Sequence, residues 1–293
     1  MKGCLEKLSN FFQPPRILYK DIVKKALLED IDHGDITTTL LVPPEKKGSA
    51  KIIAKEEGIA SGFFIAEEVF KQIDEKIKFS TFFNEGQSFK SGDVLIHLEG
   101  KLRSILLGER VALNFIQRLC GISTLTKRAI EEIKDLPVHL VCTRKTTPGL
   151  RLLEKYAVRI GGALNHRFNL SDGILIKDNH IEACGSITKA IKRAQKLAPH
   201  TLKIEVEVSD IDGVNEAIDA GVDAILLDNM DFYTLKQAVK IVKKKKPMVL
   251  LEVSGGVTLE NIRDFALTGV DIISSGALTH SYKSIDLSLK VYL

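Results

Sequence analysis

The sequence predicts an α/β fold, an incomplete parallel (β/α) barrel preceded by an α+β N-terminal domain. Three observations carry that prediction. From residue 139 onward, short apolar segments alternate with amphipathic helical ones. The later repeats recur about every two dozen residues, and charged residues sit at the strand ends or alternate within the strands. At 293 residues and 44% hydrophobic content, the chain can bury a large core.

In the N-terminal half, Ala50–Ala54 and Val94–Leu98 read as strands. Between them lie helical Gly62–Ile73 and the turn-rich stretches Asn84-Glu85-Gly86 and Ser91-Gly92-Asp93. The segment Glu85–Leu95 resembles half of a biotinyl/lipoyl-type hammerhead. A carrier domain needs a modifiable lysine at a hairpin tip with a flanking motif. That motif is missing, so the similarity is assigned to turn geometry, and intact mass would test the carrier alternative. Leu106–Leu119 reads as a long helix leading into the second half. Residues 1–118, joined by 281–293, are expected to form the α+β domain, and residues 119–280 the barrel domain.

The second half offers strands at His139–Cys142, Gly173–Lys177, Leu202–Val208, Ala224–Asp228, Met248–Ser254 and Val270–Ser274. Helical patterns fall at Ile187–Leu197, Ile211–Ala220, Phe232–Val242 and Leu259–Leu267. A complete barrel of eight units takes about 250 residues, so fewer strands imply an incomplete one. A flavodoxin-like doubly wound sheet is the alternative.

Composition excludes several classes of function. The net charge of +4 is slight, and no Lys/Arg stripe is interleaved with aromatics, which argues against nucleic acid. The one basic run, Lys243–Lys246, precedes Pro247, where lysines complement the end of a helix. The four cysteines, Cys4, Cys120, Cys142 and Cys184, form no CxxC pair, so neither a disulfide framework nor a zinc site is expected. Met1–Pro15 mixes charges into its length and no stretch is long enough to cross a bilayer. A cytoplasmic enzyme with no membrane partner is the expectation.

Cationic clusters stand where apolar segments stop: Thr143-Arg144-Lys145-Thr146-Thr147-Pro148-Gly149, Asn165-His166-Arg167 and Lys177-Asp178-Asn179-His180. Positive charge gathered at strand ends points to an anionic ligand. In Ile204-Glu205-Val206-Glu207-Val208 the period of two puts both glutamates on one face, which in a barrel points inward. Buried carboxylates need cations, a metal or ligand hydroxyls, and the same holds for Asp228 and Glu252. A salt-bridge network with the cluster lysines is the alternative use of these acids. Ser254-Gly255-Gly256, expected just before a helix opening at Thr258, and Ser274-Ser275-Gly276 with Thr279 and His280 look suited to a phosphate. The last loops of a barrel are its usual position.

Together these segments resemble quinolinate phosphoribosyltransferase, the carboxylating nicotinate-nucleotide pyrophosphorylase family. Further matches are Glu29-Asp30 with Gly34-Asp35-Ile36-Thr37-Thr38, Gly108-Glu109-Arg110-Val111-Ala112-Leu113-Asn114, Leu227-Asp228-Asn229 and Glu252-Val253-Ser254-Gly255-Gly256. Ala163 stands where many members carry a third glycine. The resemblance implies transfer of a phosphoribosyl group from 5-phosphoribosyl-1-diphosphate to quinolinate, with magnesium and loss of carbon dioxide. It also implies a homodimer, or a hexamer of such dimers, in which Arg110 completes the partner's site; a surface pairing of Arg110 with Glu109 is the alternative.

Guanidinium groups grip planar carboxylates bidentately, so Arg144, Arg167 and His166 suit a dicarboxylate clamp. Lys145 and Lys177 suit diphosphate and carboxylate charge. Glu207 and Asp228 suit the ribose hydroxyls or Mg2+ beside a cationic sugar. Thr143, Ser254, Gly255, Gly256, Ser275, Gly276 and His280 complete the expected substrate-binding set. Other outcomes are a paralogue of ModD or nicotinate-specific type, or a non-catalytic phosphosugar-binding protein. The latter has little use for inward-pointing Glu207 and Asp228.

Overall fold

The computed structural model describes residues 13–293, so Cys4 and most of the Met1–Pro15 segment lie outside the described residues. Helices Lys20–Ile31 and Ile36–Leu41 lead into β1 (Lys47–Ala54), β2 (Gly58–Ile59), helix Phe63–Ile73, β3 (Lys78–Thr81), β4 (Ser88–Phe89) and β5 (Val94–Lys101). The helix Leu102–Ile133 follows, then β6 (His139–Val141), helix Arg151–Ile160, β7 (Ile174–Ile176), and helices Asp178–Cys184 and Ile187–Leu197. Next come β8 (Ile204–Val208), helix Ile211–Ala220, β9 (Ala224–Asp228), helix Phe232–Lys245, β10 (Leu250–Ser254), helix Ile262–Ala266, β11 (Ile272–Ser274), helix Ala277–His280 and β12 (Leu287–Tyr292).

The chain divides into two compact units, one of residues 1–127, 146–162 and 278–293, the other of residues 128–145 and 163–277. The first carries an antiparallel sheet in the order β12-β1-β5-β3 and a small β2-β4 ladder. Residues of β1 alternate in burial, so that Ala50, Ile52 and Ala54 enter the core with Ile96 and Leu98 of β5 and Phe70 of the helix Phe63–Ile73. The helix Leu102–Ile133 is 32 residues long and runs past Leu119, where the expected helix ended. Its Gly121 is no stop signal: a Cβ there would collide with the Lys283 carbonyl, so glycine serves close approach rather than termination.

The second unit holds a six-stranded parallel sheet in the order β6-β11-β10-β9-β8-β7. Strands consecutive in sequence from β7 to β11 are neighbours, and the last pairs with the first through β11 and β6. The order therefore winds one way round without a switch point, which excludes the flavodoxin-like alternative. A single parallel bridge, Val141 to Leu164, adds a partial strand beyond β6, and among the described residues no ladder joins it to β7. The barrel is thus open on one side. The core strands are apolar throughout on the helix-facing side, with Val206, Ile225, Leu227, Leu251 and Ile273 fully buried or nearly so.

Several strands are shorter than the apolar pattern suggests. Before β8 the chain turns through a Leu202 N–H to Pro199 carbonyl bond, and before β10 through Val249 N–H to Lys246, which leaves Met248 89% exposed. The helix expected from Leu259 begins only at Ile262. Asn261 Oδ1 accepts the Thr258 N–H at 2.7 Å and its Nδ2 donates to the Gly256 carbonyl at 2.8 Å, so a side-chain-closed turn replaces the first helical turn.

Candidate active site

The C-terminal ends of the parallel strands surround a cavity of about 450 Å³ in the second unit. It is lined by Thr143, Arg144 and Lys145 after β6, His166 and Arg167 after the Leu164 bridge, and Lys177 after β7. Glu207 of β8, Asp228 and Asn229 at the end of β9, Glu252 and Ser254 of β10, and Ser274 of β11 close it. Leu175 and Leu226 supply its apolar wall. The three cationic clusters, far apart in sequence, are thus brought to one place because each follows a strand of the same sheet.

Local hydrogen bonds shape each cluster. The Lys145 N–H donates to Thr143 Oγ1 at 3.0 Å, turning the loop after β6. The Lys177 N–H donates to His180 Nδ1 at 2.9 Å, so the histidine of Lys177-Asp178-Asn179-His180 orders the start of the helix Asp178–Cys184. The Arg167 guanidinium donates through Nη1 to the Gly173 carbonyl at 2.9 Å. Burial, and then the neighbouring Arg144 charge, lower the Arg167 pKa from its ordinary value.

The acids divide into two sets. Lys177 Nζ and Glu207 Oε2 form an ion pair within the cavity, while Asn229 Nδ2 donates to Asp228 Oδ2 at 2.7 Å. Deeper, His166 Nε2 lies 3.2 Å from Glu205 Oε2 and 3.5 Å from Glu252 Oε1. The His166 Nδ1 accepts the Arg167 backbone N–H at 2.8 Å, which assigns the ring proton to Nε2, between the two carboxylates. Burial first, and the Glu205 charge second, push the Glu252 carboxyl up to about 7; Glu252 is 3% exposed. Both sets have donors suited to a cation. In the His166–Glu205–Glu252 set, whose ligand atoms lie within 4.8 Å of one another, the imidazole would first have to release its Nε2 proton. Glu207 and Asp228 offer hard carboxylate oxygens to the cavity directly.

Thr143, Arg144, Lys145, His166, Arg167, Lys177, Glu207, Asp228 and Ser254 are therefore brought together. His166 lines the cavity beside Arg167, and its ring nitrogens also meet protein groups, the Arg167 N–H at Nδ1 and the Glu205 carboxylate at Nε2. Gly255 and Gly256 follow β10 with φ of 101° and 63°, and the loop does not open directly into a helix, contrary to expectation. Ser275 is buried, its hydroxyl donating to the Val257 carbonyl at 3.3 Å and its N–H to Val141 at 3.0 Å; Gly276 follows it. Arg110 and His280 belong to the first unit, where Arg110 is exposed on the helix Leu102–Ile133 and His280 Nδ1 lies 2.7 Å from Ser281 Oγ. Ser274, from the expected phosphate loop, lines the cavity, whereas sequence reasoning gave Asn229 no role of its own at the site. Asn229 has φ of 52°, a conformation no periodicity reports.

An arrangement of four cationic side chains against two accessible carboxylates suits an anionic substrate whose reaction develops positive charge beside those carboxylates. Comparison with known proteins agrees with that chemistry. The N-terminal domain model of quinolinate phosphoribosyl transferase matches residues 35–120, and its C-terminal domain model matches residues 122–290. The chain is 46% identical over 274 residues to a probable nicotinate-nucleotide pyrophosphorylase [carboxylating] of Bacillus subtilis, covering 94% of this chain and 93% of that one. A protein of the same description from Synechocystis is 44% identical over 278 residues, covering 95% and 94%. The crystal structure of NadC from Streptococcus pyogenes superposes with a TM-score of 0.90 at 41% identity, covering 96% of this chain and 98% of that one. With both domain models matched in order and relatives this similar along nearly its whole length, the chain belongs to the quinolinate phosphoribosyltransferase family.

Proposed function

We propose that this chain transfers the phosphoribosyl group of 5-phosphoribosyl-1-diphosphate to the ring nitrogen of quinolinate and releases carbon dioxide, giving nicotinate mononucleotide and diphosphate for NAD biosynthesis. The observation that carries the proposal is one cavity with Arg144, Lys145, Arg167 and Lys177 gathered against Glu207 and Asp228. Adjacent carboxylates of quinolinate match paired guanidinium groups, which bind planar anions in a fork, so Arg144 and Arg167 form the clamp together with His166. Lys145 and Lys177 follow the charge of carboxylate and departing diphosphate. Glu207 and Asp228 hold the ribose and stabilise it electrostatically as the bond to diphosphate breaks and the sugar becomes cationic. Ser254, Gly255, Gly256, Ser275 and Gly276, with Thr143, hold phosphate oxygens, and His280 is assigned to the same group. After transfer the ring nitrogen is positive, so the electron pair left on the ring carbon by the departing carbon dioxide is stabilised by the adjacent charge until that carbon takes a proton from solvent.

The donor set of Glu207 and Asp228 fits Mg2+, which prefers carboxylate oxygens and, when bound, neutralises diphosphate charge. A homodimer belongs to the same proposal, because Arg110 stands exposed on its helix and is available to complete a second copy's clamp. Assembly of dimers into a hexamer and a cytoplasmic location are further parts of the reading. The deciding experiment is a product assay with quinolinate, 5-phosphoribosyl-1-diphosphate and magnesium, with nicotinate as the competing acceptor. Nicotinate mononucleotide from quinolinate alone supports the proposal. Product from nicotinate instead shifts the function to a nicotinate-specific paralogue, and product from neither turns it to another acceptor or to phosphosugar binding without turnover.

A further inference from the structure

Among the described residues, only Asp32 and Asn229 combine a side chain with positive φ. We propose that Asn229 is a positioning residue for this site, fixing the Asp228 carboxylate and seating the Ser254-Gly255-Gly256 loop against it. The inference rests on the phosphoribosyl-transfer reading above.

Three contacts meet at Asn229. Its Nδ2 donates to Asp228 Oδ2 at 2.7 Å, and its backbone N–H donates to the Ser254 carbonyl at 3.0 Å. Its Oδ1 occupies the space over Gly255: a Cβ built on Gly255 would collide with Asn229 Oδ1 and come 2.6 Å from Cγ. Asp228 and Ser254 are directly paired in the β9–β10 register, so Asn229 ties together the loops that leave two adjacent strands. One of these loops follows the acid assigned to the ribose, and the other carries the glycines assigned to phosphate.

The residue type fits all three tasks. Asparagine enters the left-handed region at lower cost than most side chains, and it brings an N–H donor to a carboxylate. Aspartate would share the backbone tolerance but lose the donor and add a like charge. Glycine would keep the backbone conformation and lose both the donor and the group resting on Gly255. The glycine at 255 answers to two demands, its φ of 101° and the Asn229 amide that any side chain there would displace.

The test compares Asn229→Gly, Gly255→Ala and the double variant with wild type. Asn229→Gly should lower kcat about tenfold while the KM for quinolinate moves less than about twofold, with no loss of thermal stability. Gly255→Ala should reproduce that kcat defect although its side chain makes no bond to Asp228. The double variant should lose less than the product of the two single defects, because the amide that the added methyl group would strike is gone, while the strain of alanine at a φ of 101° is common to both backgrounds. Wild-type kcat in Asn229→Gly, or defects that multiply in the double variant, would overturn the proposal. Failure of the functional reading is distinguishable, because it shows as no product from the wild-type enzyme. In that event the same cycle read by urea unfolding still decides: Gly255→Ala should destabilise wild type more than it destabilises Asn229→Gly, and equal losses would refute the contact.

Discussion

Lys177 and Glu207 form an ion pair inside the cavity, joining the segment after β7 to β8, so that a cation and an anion from separate motifs act as one unit. The Glu207 side chain is 16% exposed and the Lys177 side chain 43%, so the lysine is the partner more open to the cavity. Lys177→Ala and Glu207→Gln should each lower kcat/KM about 100-fold. The double variant should fall short of the product of the two, with a coupling of about 1–3 kcal/mol. Steady-state kinetics on the four proteins measures this, and strict additivity would show that the pair is incidental.

The fold was legible where periodicity or charge placement carries information. Helices Ile187–Leu197 and Ile211–Ala220 and strand β9 have the boundaries that their patterns indicate, because capping by Ser186 and Asp210 and left-handed Gly221 are written in residue types. The cavity was legible because charges recur after successive strands. What was hidden are the features set by tertiary contact. The helix expected to stop at Leu119 continues through Gly121, which is a packing contact; Asn261 looks helical and closes a turn; the protein partners of His166, the Arg167 N–H, Glu205 and Glu252, are set by the fold and not by any local pattern. Asn229 resembles an ordinary loop asparagine until its φ and its fit over Gly255 are known.

Arg144 lines the cavity directly after the β6 segment, and after burial its charge is the next cause that lowers the pKa of Arg167. Two cations this close favour a doubly anionic ligand. Arg144→Ala should therefore abolish calorimetrically detectable quinolinate binding while the thermal unfolding midpoint stays near that of wild type. Retained affinity would remove Arg144 from the clamp.

Arg118 and Glu154 form a second ion pair, in the first unit, with the carboxylate buried. Arg118 Nε donates to Glu154 Oε1 at 2.9 Å, Nη2 donates to Thr147 Oγ1, and Glu154 Oε2 accepts the Thr147 N–H at 3.1 Å. Glu154 is fully buried, so Arg118→Ala strands its charge and should destabilise the protein by about 3–5 kcal/mol in urea unfolding. Replacing both partners, as Arg118→Met with Glu154→Leu, should recover part of that loss. A double variant as unstable as the single one would mean that the Thr147 hydrogen bonds, rather than the stranded charge, dominate.

Asp228 lies at the mouth end of β9, half-buried, with its carboxylate bonded to Asn229. A charge that matters most when the sugar becomes cationic contributes more to the transition state than to the bound ground state. Asp228→Asn should lower kcat at least about 100-fold with a smaller effect on the KM of either substrate. A rise in KM with kcat unchanged would assign Asp228 to ground-state binding alone.

Glu252 gives the protein a pH dependence of defined sign. Burial, reinforced by Glu205 and opposed by His166, raises its carboxyl from 4.5 to about 7 in the folded protein. Between those values the native state holds a proton that the unfolded chain has released, so the contribution of Glu252 to stability is fully present below pH 4.5 and is lost as pH rises through about 7. Glu252→Gln keeps the shape of the neutral acid and cannot ionise. The stability of wild type relative to Glu252→Gln should therefore decline across that window, by at most roughly 3 kcal/mol, in urea unfolding at fixed pH. Groups common to both proteins cancel in the difference, so a decline ties the proton to the Glu252 carboxyl, and a flat difference would show that its pKa is not raised in the folded protein.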